Sequence, residues 1–88
     1  MDDCSSLKAK LNANTIWPME YMFKFIVPAN VSNIARVAAL FEPSAIVYHK
    51  ESKNQKFVSI TAKQSMQSAE QIIDIYVKAG EIPHLMAL

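Results

Sequence analysis

Cysteine and glycine are almost absent from this 88-residue sequence, which contains one of each. Because Cys4 is the only cysteine, an intrachain disulfide is impossible, and a cysteine-based metal site would lack its other ligands. A lone thiol suits a reducing compartment. An excess of charge is also missing: the net charge is +1, so no overall field attracts the protein to nucleic acid or anionic lipid.

A long apolar run and a signal peptide are missing as well. The most apolar stretch, residues 16–27, contains Glu20 and Lys24 and is too short to cross a bilayer. The chain begins with the acidic segment 1–4, whereas a signal peptide begins with basic residues followed by an apolar run. The sequence therefore predicts a cytoplasmic protein that does not associate with membranes.

What the sequence does contain is enough apolar material for one small domain, since 51% of its residues are hydrophobic. Residues 5–12 predict a short helix with Leu7 and Leu11 one turn apart on one face. The predicted division is an N-terminal tail or short helix over residues 1–16 and a folded domain over residues 17–88.

Four segments are predicted to be strands because they alternate in polarity or are rich in β-branched and aromatic side chains. They are residues 19–27, 45–50, 57–63 and 82–88. The polar residues 51–56 between the second and third strands predict a hairpin turn, with Asn54 in the left-handed conformation that asparagine tolerates. Pro83 lies near the start of the fourth strand, which favours an edge position.

Two helices are predicted between these strands. The first is capped by Asn30 and ended by Pro43, and its apolar stripe is formed by Ile34, Val37, Ala38 and Phe41. The second begins at a capping box, in which Ser68 and Gln71 satisfy the first backbone amides. Its stripe is formed by Ile72, Ile75, Tyr76 and Ala79, and Gly80 is predicted to form a left-handed C-terminal cap.

The order βαββαβ predicts an α+β fold of the ferredoxin-like type, a four-stranded antiparallel sheet with two helices on one face. In this topology the first and third strands are central, and the second and fourth are edges. The side chains predicted beneath the helices are Phe23, Phe25, Val27, Val58, Ile60 and Ala62. The opposite face, predicted as an interaction face because it mixes apolar and basic groups, is formed by Met22, Lys24, Ile26, Phe57, Ser59, Thr61 and Lys63.

Three segments resemble the YbeD-like family of small bacterial proteins of unknown function. They read WPMEYMFKFIVP from Trp17, KESKNQKFVSITA from Lys50 and SAEQIIDIY from Ser68, and the resemblance extends over residues 7–88. It implies a βαββαβ fold similar to the ACT domains that sense small molecules. Gln55 stands where relatives often have glycine. Amino-acid-binding ACT domains use a glycine-containing turn after the first strand, where this chain has Pro28, which has no amide hydrogen.

The residues that could carry catalysis or bind a metal are isolated in the predicted fold. His49 and His84 lie on the two predicted edge strands, at opposite sides of the sheet, and Cys4 has no histidine near it in sequence. Glu70 and Asp74 lie one helical turn apart, an arrangement common on solvated helix faces. The sequence therefore predicts no catalytic residue, no metal site and no cofactor, and hence a protein that is not an enzyme.

Nucleic-acid binding is also disfavoured, although RNA-recognition domains share the predicted topology. Those domains carry several aromatic side chains and glycines on the third strand, whereas residues 56–62 contain one aromatic residue, Phe57, and no glycine. The lysines near the hairpin are interpreted as a solubilising rim. They are Lys50, Lys53, Lys56 and Lys63.

These observations predict a non-catalytic domain of a regulatory or adaptor type. It is expected to form a homodimer and to bind a protein partner or a small metabolite through its open sheet face or its edge strands. The alternative is a small-molecule sensor similar to ACT domains, which would hold its ligand between the first helix and a neighbouring copy and regulate a metabolic pathway.

Overall fold

The computed structural model describes residues 7–11 and 16–88. Residues 7–11 are helical. The elements that follow are β1 (Met19–Pro28), α1 (Val31–Ala38), β2 (Ile46–Glu51), β3 (Phe57–Met66), α2 (Ala69–Ala79) and β4 (Met86–Ala87). The predicted βαββαβ order is confirmed.

The four strands form one antiparallel sheet in the order β2-β3-β1-β4. All ten residues of β1 pair with β3, from Met19 opposite Met66 to Pro28 opposite Phe57. The prediction that the first and third strands are central and the other two are edges is therefore confirmed. The fold is α+β, with an open sheet that carries its helices on one face.

The core lies between the sheet and the helices. Phe23, Phe25 and Val27 of β1 are fully buried. The predicted helix-facing residues of β3 (Val58, Ile60 and Ala62) are buried with them, and so are Val37 of α1 and Ile72, Ile75 and Ala79 of α2. Burial of a side chain such as phenylalanine or isoleucine contributes roughly 1.5–3 kcal/mol, so this layer supplies most of the favourable free energy of folding.

The N-terminal helical segment belongs to the same core. Leu11 is buried and Leu7 packs against the core at its margin, as their predicted spacing on one helix face requires. Lys8 Nζ lies 3.1 Å from Glu70 Oε1 at the start of α2, and both side chains are largely exposed. Of the predicted helix over residues 5–12, the flanking positions 5, 6 and 12 lie outside the described residues.

Both helices begin at the predicted caps. Asn30 Oδ1 accepts a hydrogen bond from the Asn33 amide at 2.7 Å, and Ser68 Oγ accepts one from the Gln71 amide at 3.2 Å. The second half of the predicted capping box is wrong in detail, because Gln71 Oε1 accepts from the amide of Gln67 and not from that of Ser68. The glutamine still satisfies a free amide, one residue before the cap.

The predicted end of the first helix at Pro43 is wrong, because α1 ends at Ala38. After it the chain tightens into a turn in which the Leu40 amide donates to Val37 O and the Phe41 amide donates to Ala38 O. This turn carries Phe41 into the core, where it is buried. The burial of one aromatic ring thus ends the helix before the proline is reached.

The C-terminal predictions need correction in two places. Gly80 is right-handed (φ −63°) and does not form the predicted left-handed cap. The helical turn instead continues, since the Ile82 amide donates to Ala79 O, and Ile82 is buried. The predicted strand over residues 82–88 is consequently reduced to the two residues of β4, and Pro83 lies in the turn before it.

The hairpin between β2 and β3 lies where it was predicted, but its left-handed residue is Gln55 (φ 58°), not Asn54. Asn54 instead holds the turn through its side chain: its Oδ1 accepts from Ser52 Oγ at 2.9 Å and from the Lys56 amide at 3.2 Å. A residue with a β-carbon pays a steric cost in the left-handed conformation. Glycine, which has no β-carbon, would therefore fit the position of Gln55 without this cost.

The variant Gln55→Gly is expected to raise the free energy of unfolding by up to about 1 kcal/mol. Relief of the left-handed strain favours the folded state, and the greater freedom of glycine in the unfolded chain offsets part of the gain. Asn54→Gly is the matched control, and it is expected to lower stability because both side-chain hydrogen bonds are lost. Urea denaturation measures both changes. Destabilisation by Gln55→Gly would contradict the assignment of strain to this position.

Candidate interaction face

We call the side of the sheet that faces away from the helices the open face. The register of the central strands brings the seven predicted interaction residues to this side. Met22 lies opposite Lys63, Lys24 opposite Thr61, and Ile26 opposite Ser59, while Phe57 lies at the end of the same row opposite Pro28. The predicted grouping of these residues on one face is therefore correct, and their role as an interaction face stays a prediction.

The seven residues differ in exposure. Met22 and Phe57 are each 46% exposed, Lys24 is exposed, and Ile26, Ser59 and Lys63 are half-buried. Thr61 is only 7% exposed, so the prediction that it contributes to an accessible surface is wrong. Its cross-strand neighbours are the longer residues Lys24 and Tyr48, which leave little of the threonine accessible.

The edge strands extend the open face beyond the residues predicted from the sequence. Three residues of β2 belong to this face: Ile46 lies opposite Lys63, Tyr48 opposite Thr61, and Lys50 opposite Ser59. Of these, Ile46 and Tyr48 are more than half exposed. From β4, Met86 lies opposite Ile26. The period-two pattern of residues 45–50 was the available signal. This pattern alone does not say which of its two faces belongs to which side of the sheet; the register of β2 against β3 decides that.

The open face is positively charged. Among the described strand residues on this face, the register places three lysines (Lys24, Lys50 and Lys63) and one carboxylate, Glu20, which lies opposite Ser65 at the far end. The exposed apolar residues on the same face are Met22, Ile46, Tyr48, Phe57 and Met86. A surface of this composition suits a partner that carries apolar groups together with negative charge.

A cavity of about 350 Å³ lies at the hairpin end of the open face. Its apolar floor is formed by Ile26 and Phe57, and its rim by Ser59 and the segment 50–53, which supplies two lysines, Lys50 and Lys53, and the carboxylate of Glu51. Over residues 7–11 and 16–88, neither of these two lysines forms a salt bridge. Their ammonium groups are thus available to an anionic group held above the apolar floor.

The candidate catalytic residues remain far apart in the fold. His49 is exposed on β2, at one edge of the sheet, and His84 is exposed in the turn that precedes β4, at the other edge. Cys4 lies outside the described residues. Within the described part of the chain, no group of three or more His, Cys, Asp and Glu residues could hold a metal ion.

The two predicted carboxylates on α2 are each engaged by a lysine. A hydrogen bond from its own backbone amide and the ammonium of Lys8 lower the pKa of Glu70. Asp74 Oδ2 lies 3.0 Å from Lys78 Nζ, one turn further along the helix. Exposed pairs of this kind contribute little stability, and they indicate a solvated helix face rather than paired-carboxylate chemistry.

A half-buried pair of hydroxyl groups lies on the helix side of the sheet. The hydroxyl groups of Tyr21 and Tyr76 are 3.0 Å apart, within an aromatic cluster in which the ring of Phe23 lies 4.7 Å from that of Tyr21 and 5.4 Å from that of Tyr76. Burial of the phenol, together with the hydrogen bond to Tyr21, raises the pKa of Tyr76 well above its usual value. Tyr76 therefore stays neutral, and the two rings act as a packing element.

Because folding raises the pKa of Tyr76, the fold is expected to lose stability as the pH rises into the alkaline range. The folded state favours the neutral Tyr76 phenol, so its contribution is fully present below pH 10.0, the ordinary pKa of tyrosine, and is lost as the pH rises further. Urea denaturation between pH 9 and pH 11 should show a steeper loss of stability for the wild type than for Tyr76→Phe. Equal slopes would contradict a pKa that is raised by folding.

The fold and the site thus define a small α+β domain with an uncovered, part-apolar and basic sheet face. The chain belongs to the family described as "Protein of unknown function (DUF493)", which matches residues 13–88. No curated protein and no solved structure matches the chain. Of the helices in the described residues, none is long and apolar enough to cross a membrane.

Proposed function

We propose that this protein is a non-catalytic binding domain of a regulatory or adaptor type, and that it binds a protein partner through its open face. One observation carries the proposal: exposed apolar side chains from all four strands lie together on a face that also presents three lysines. Soluble monomers rarely leave a large contiguous apolar patch uncovered. No catalytic residue, metal or cofactor forms part of the proposal.

The chemistry of the face supports a partner with a complementary surface. Met22, Ile46 and Phe57 offer apolar contacts, and the flanking lysines favour a partner surface with acidic residues around an apolar centre. Because the exposed groups extend across the whole width of the sheet, they exceed what one small metabolite would cover. A protein surface is the better fit.

The fold supports the finer family interpretation. The strand order β2-β3-β1-β4, with the helices packed on one face, is consistent with a ferredoxin-like sandwich and with the resemblance to YbeD-like and ACT domains. Membership of the DUF493 family is consistent with it too. A bacterial origin and a cytoplasmic location stay predictions.

A second candidate is a small-molecule sensor similar to ACT domains. The observation that favours it is a cavity of about 280 Å³ beside the start of α1, lined by Ala29, Asn30, Val31 and Ile34 together with Glu51 and Gln55. Two features of the turn between β1 and α1 make this cavity a poor site for an anion. Asn30 already accepts from the amide of Asn33, and Pro28 has no amide hydrogen.

The open-face proposal is tested with the double variant Met22→Ser/Phe57→Ser and the matched control Val77→Ser. Val77 is similarly exposed, but it lies on α2. Each protein is immobilised and exposed to native lysate, and the retained proteins are quantified by mass spectrometry. We expect specific partners to be retained equally by the wild type and the control, and at least tenfold less by the double variant. Identical retention by all three proteins would contradict binding at the open face.

The sensor alternative has a separate measurement. If the domain is a sensor, a thermal-shift screen of metabolites will show a reproducible rise in melting temperature with one ligand, because a ligand that binds only the folded state stabilises it. The variant Ile34→Ser, in the wall of the second cavity, should abolish that rise, while Met22→Ser should leave it unchanged. A screen in which no metabolite raises the melting temperature would remove this candidate.

A further inference from the structure

Within the described part of the chain, no segment covers the edge strand β2. All six of its residues are exposed, and its first three, Ile46, Val47 and Tyr48, are apolar or aromatic. Neither a proline nor a break in register interrupts it, since every residue pairs in sequence with β3. Soluble proteins usually shorten, charge or cover such an edge. On β2 the charged residues are confined to the hairpin end, at Lys50 and Glu51, and the first three residues carry no charge. The other edge of this sheet is shortened in this way, because β4 has only two residues.

The hydrogen-bond pattern identifies the free backbone groups of β2. The Ser52 amide donates to Phe57 O at 2.9 Å, so this pair is hydrogen-bonded at the turn. Hydrogen-bonded and non-bonded pairs alternate along an antiparallel ladder. Lys50, Tyr48 and Ile46 therefore direct their backbone groups to β3, whereas Val47, His49 and Glu51 direct theirs to the free edge.

We propose that β2 pairs antiparallel with β2 of a second copy of this chain, which joins two four-stranded sheets into one. The free groups lie only on odd-numbered residues, so an odd-numbered residue must pair with an odd-numbered residue. Residues directly opposite in an antiparallel pair point to the same side of the sheet. The helices of both copies consequently lie on one side of the joined sheet, and both open faces lie on the other.

The two-fold axis of this dimer must pass through a residue and not between two residues. An axis at Tyr48 places Tyr48 opposite itself, Val47 opposite His49, and Ile46 opposite Lys50. An axis at His49 would instead place two imidazoles directly opposite each other and Val47 opposite the carboxylate of Glu51. We assign the axis to Tyr48. There the two Tyr48 rings lie side by side and the aliphatic part of Lys50 packs on Ile46, so apolar surface is buried where the two β2 strands meet, which we call the seam.

Disulfide trapping tests the assigned register. In a Cys4→Ser background, Tyr48→Cys places two thiols across the axis at a position that is not hydrogen-bonded between the copies, where opposed side chains are closest. Mild oxidation is expected to give at least tenfold more disulfide-linked dimer than Lys50→Cys or Val77→Cys, whose thiols would be far apart. Preferential trapping by His49→Cys would overturn the axis at Tyr48. Equal yields at all positions would overturn the pairing.

Proline substitution tests the pairing itself. Val47→Pro removes an amide that faces the free edge, so the monomer loses no ladder hydrogen bond, and its thermal melt verifies that it folds. Light scattering is expected to show a wild-type mass that rises toward that of a dimer with concentration, and a Val47→Pro mass that stays monomeric. A wild type that is monomeric at millimolar concentration, or a variant that dimerises equally, would overturn the proposal. Failure of the dimer would leave the proposed binding of a protein partner untouched, because Met22 and Phe57 are exposed in the monomer and in the dimer alike.

Discussion

The pairing of β1 with β3 is the constraint on which the other features depend. Because side chains alternate along a strand, a slip of one residue would exchange the two faces of one central strand relative to the other. In the observed register, Phe23 lies opposite Ala62 and Phe25 opposite Ile60, which sets large rings beside smaller groups in the core. The same register sends Met22 and Lys24 to the open face. The buried layer and the candidate interaction face are thus two consequences of one alignment.

The lengths of the two helices determine how much of the sheet they cover. α1 has eight residues and α2 has eleven, which is enough to bury one face of the two central strands. On the helix side of β2, Val47 and His49 remain exposed, so the helical layer stops short of this edge. The open face and the β2 edge therefore lie uncovered for the same physical reason. A partner that covers these surfaces would bury more apolar area than the described fold buries alone.

Much of this arrangement could be predicted from local pattern. Period-two alternation identified the faces of β1 and β3, and the side chains of Asn30 and Ser68 identified both helix starts, because each signal acts within a few residues. Several of the features that were missed depend on distant contacts. Phe41 ends α1 by entering the core, and the burial of Thr61 depends on neighbours from two other strands. Tyr48 reaches the open face through a hairpin register that composition alone does not specify.

The edge pairing and the open-face site would act on one surface. In the proposed dimer both open faces lie on the same side, so the apolar and lysine-bearing rows of the two copies would be continuous across the seam at Tyr48. A partner that spans the seam would contact both copies, and the second contact would form at a high effective concentration. Binding of such a partner and dimer formation would then strengthen each other, since each favours the assembled state by mass action. The domain could in this way respond to its own concentration and to that of its partner.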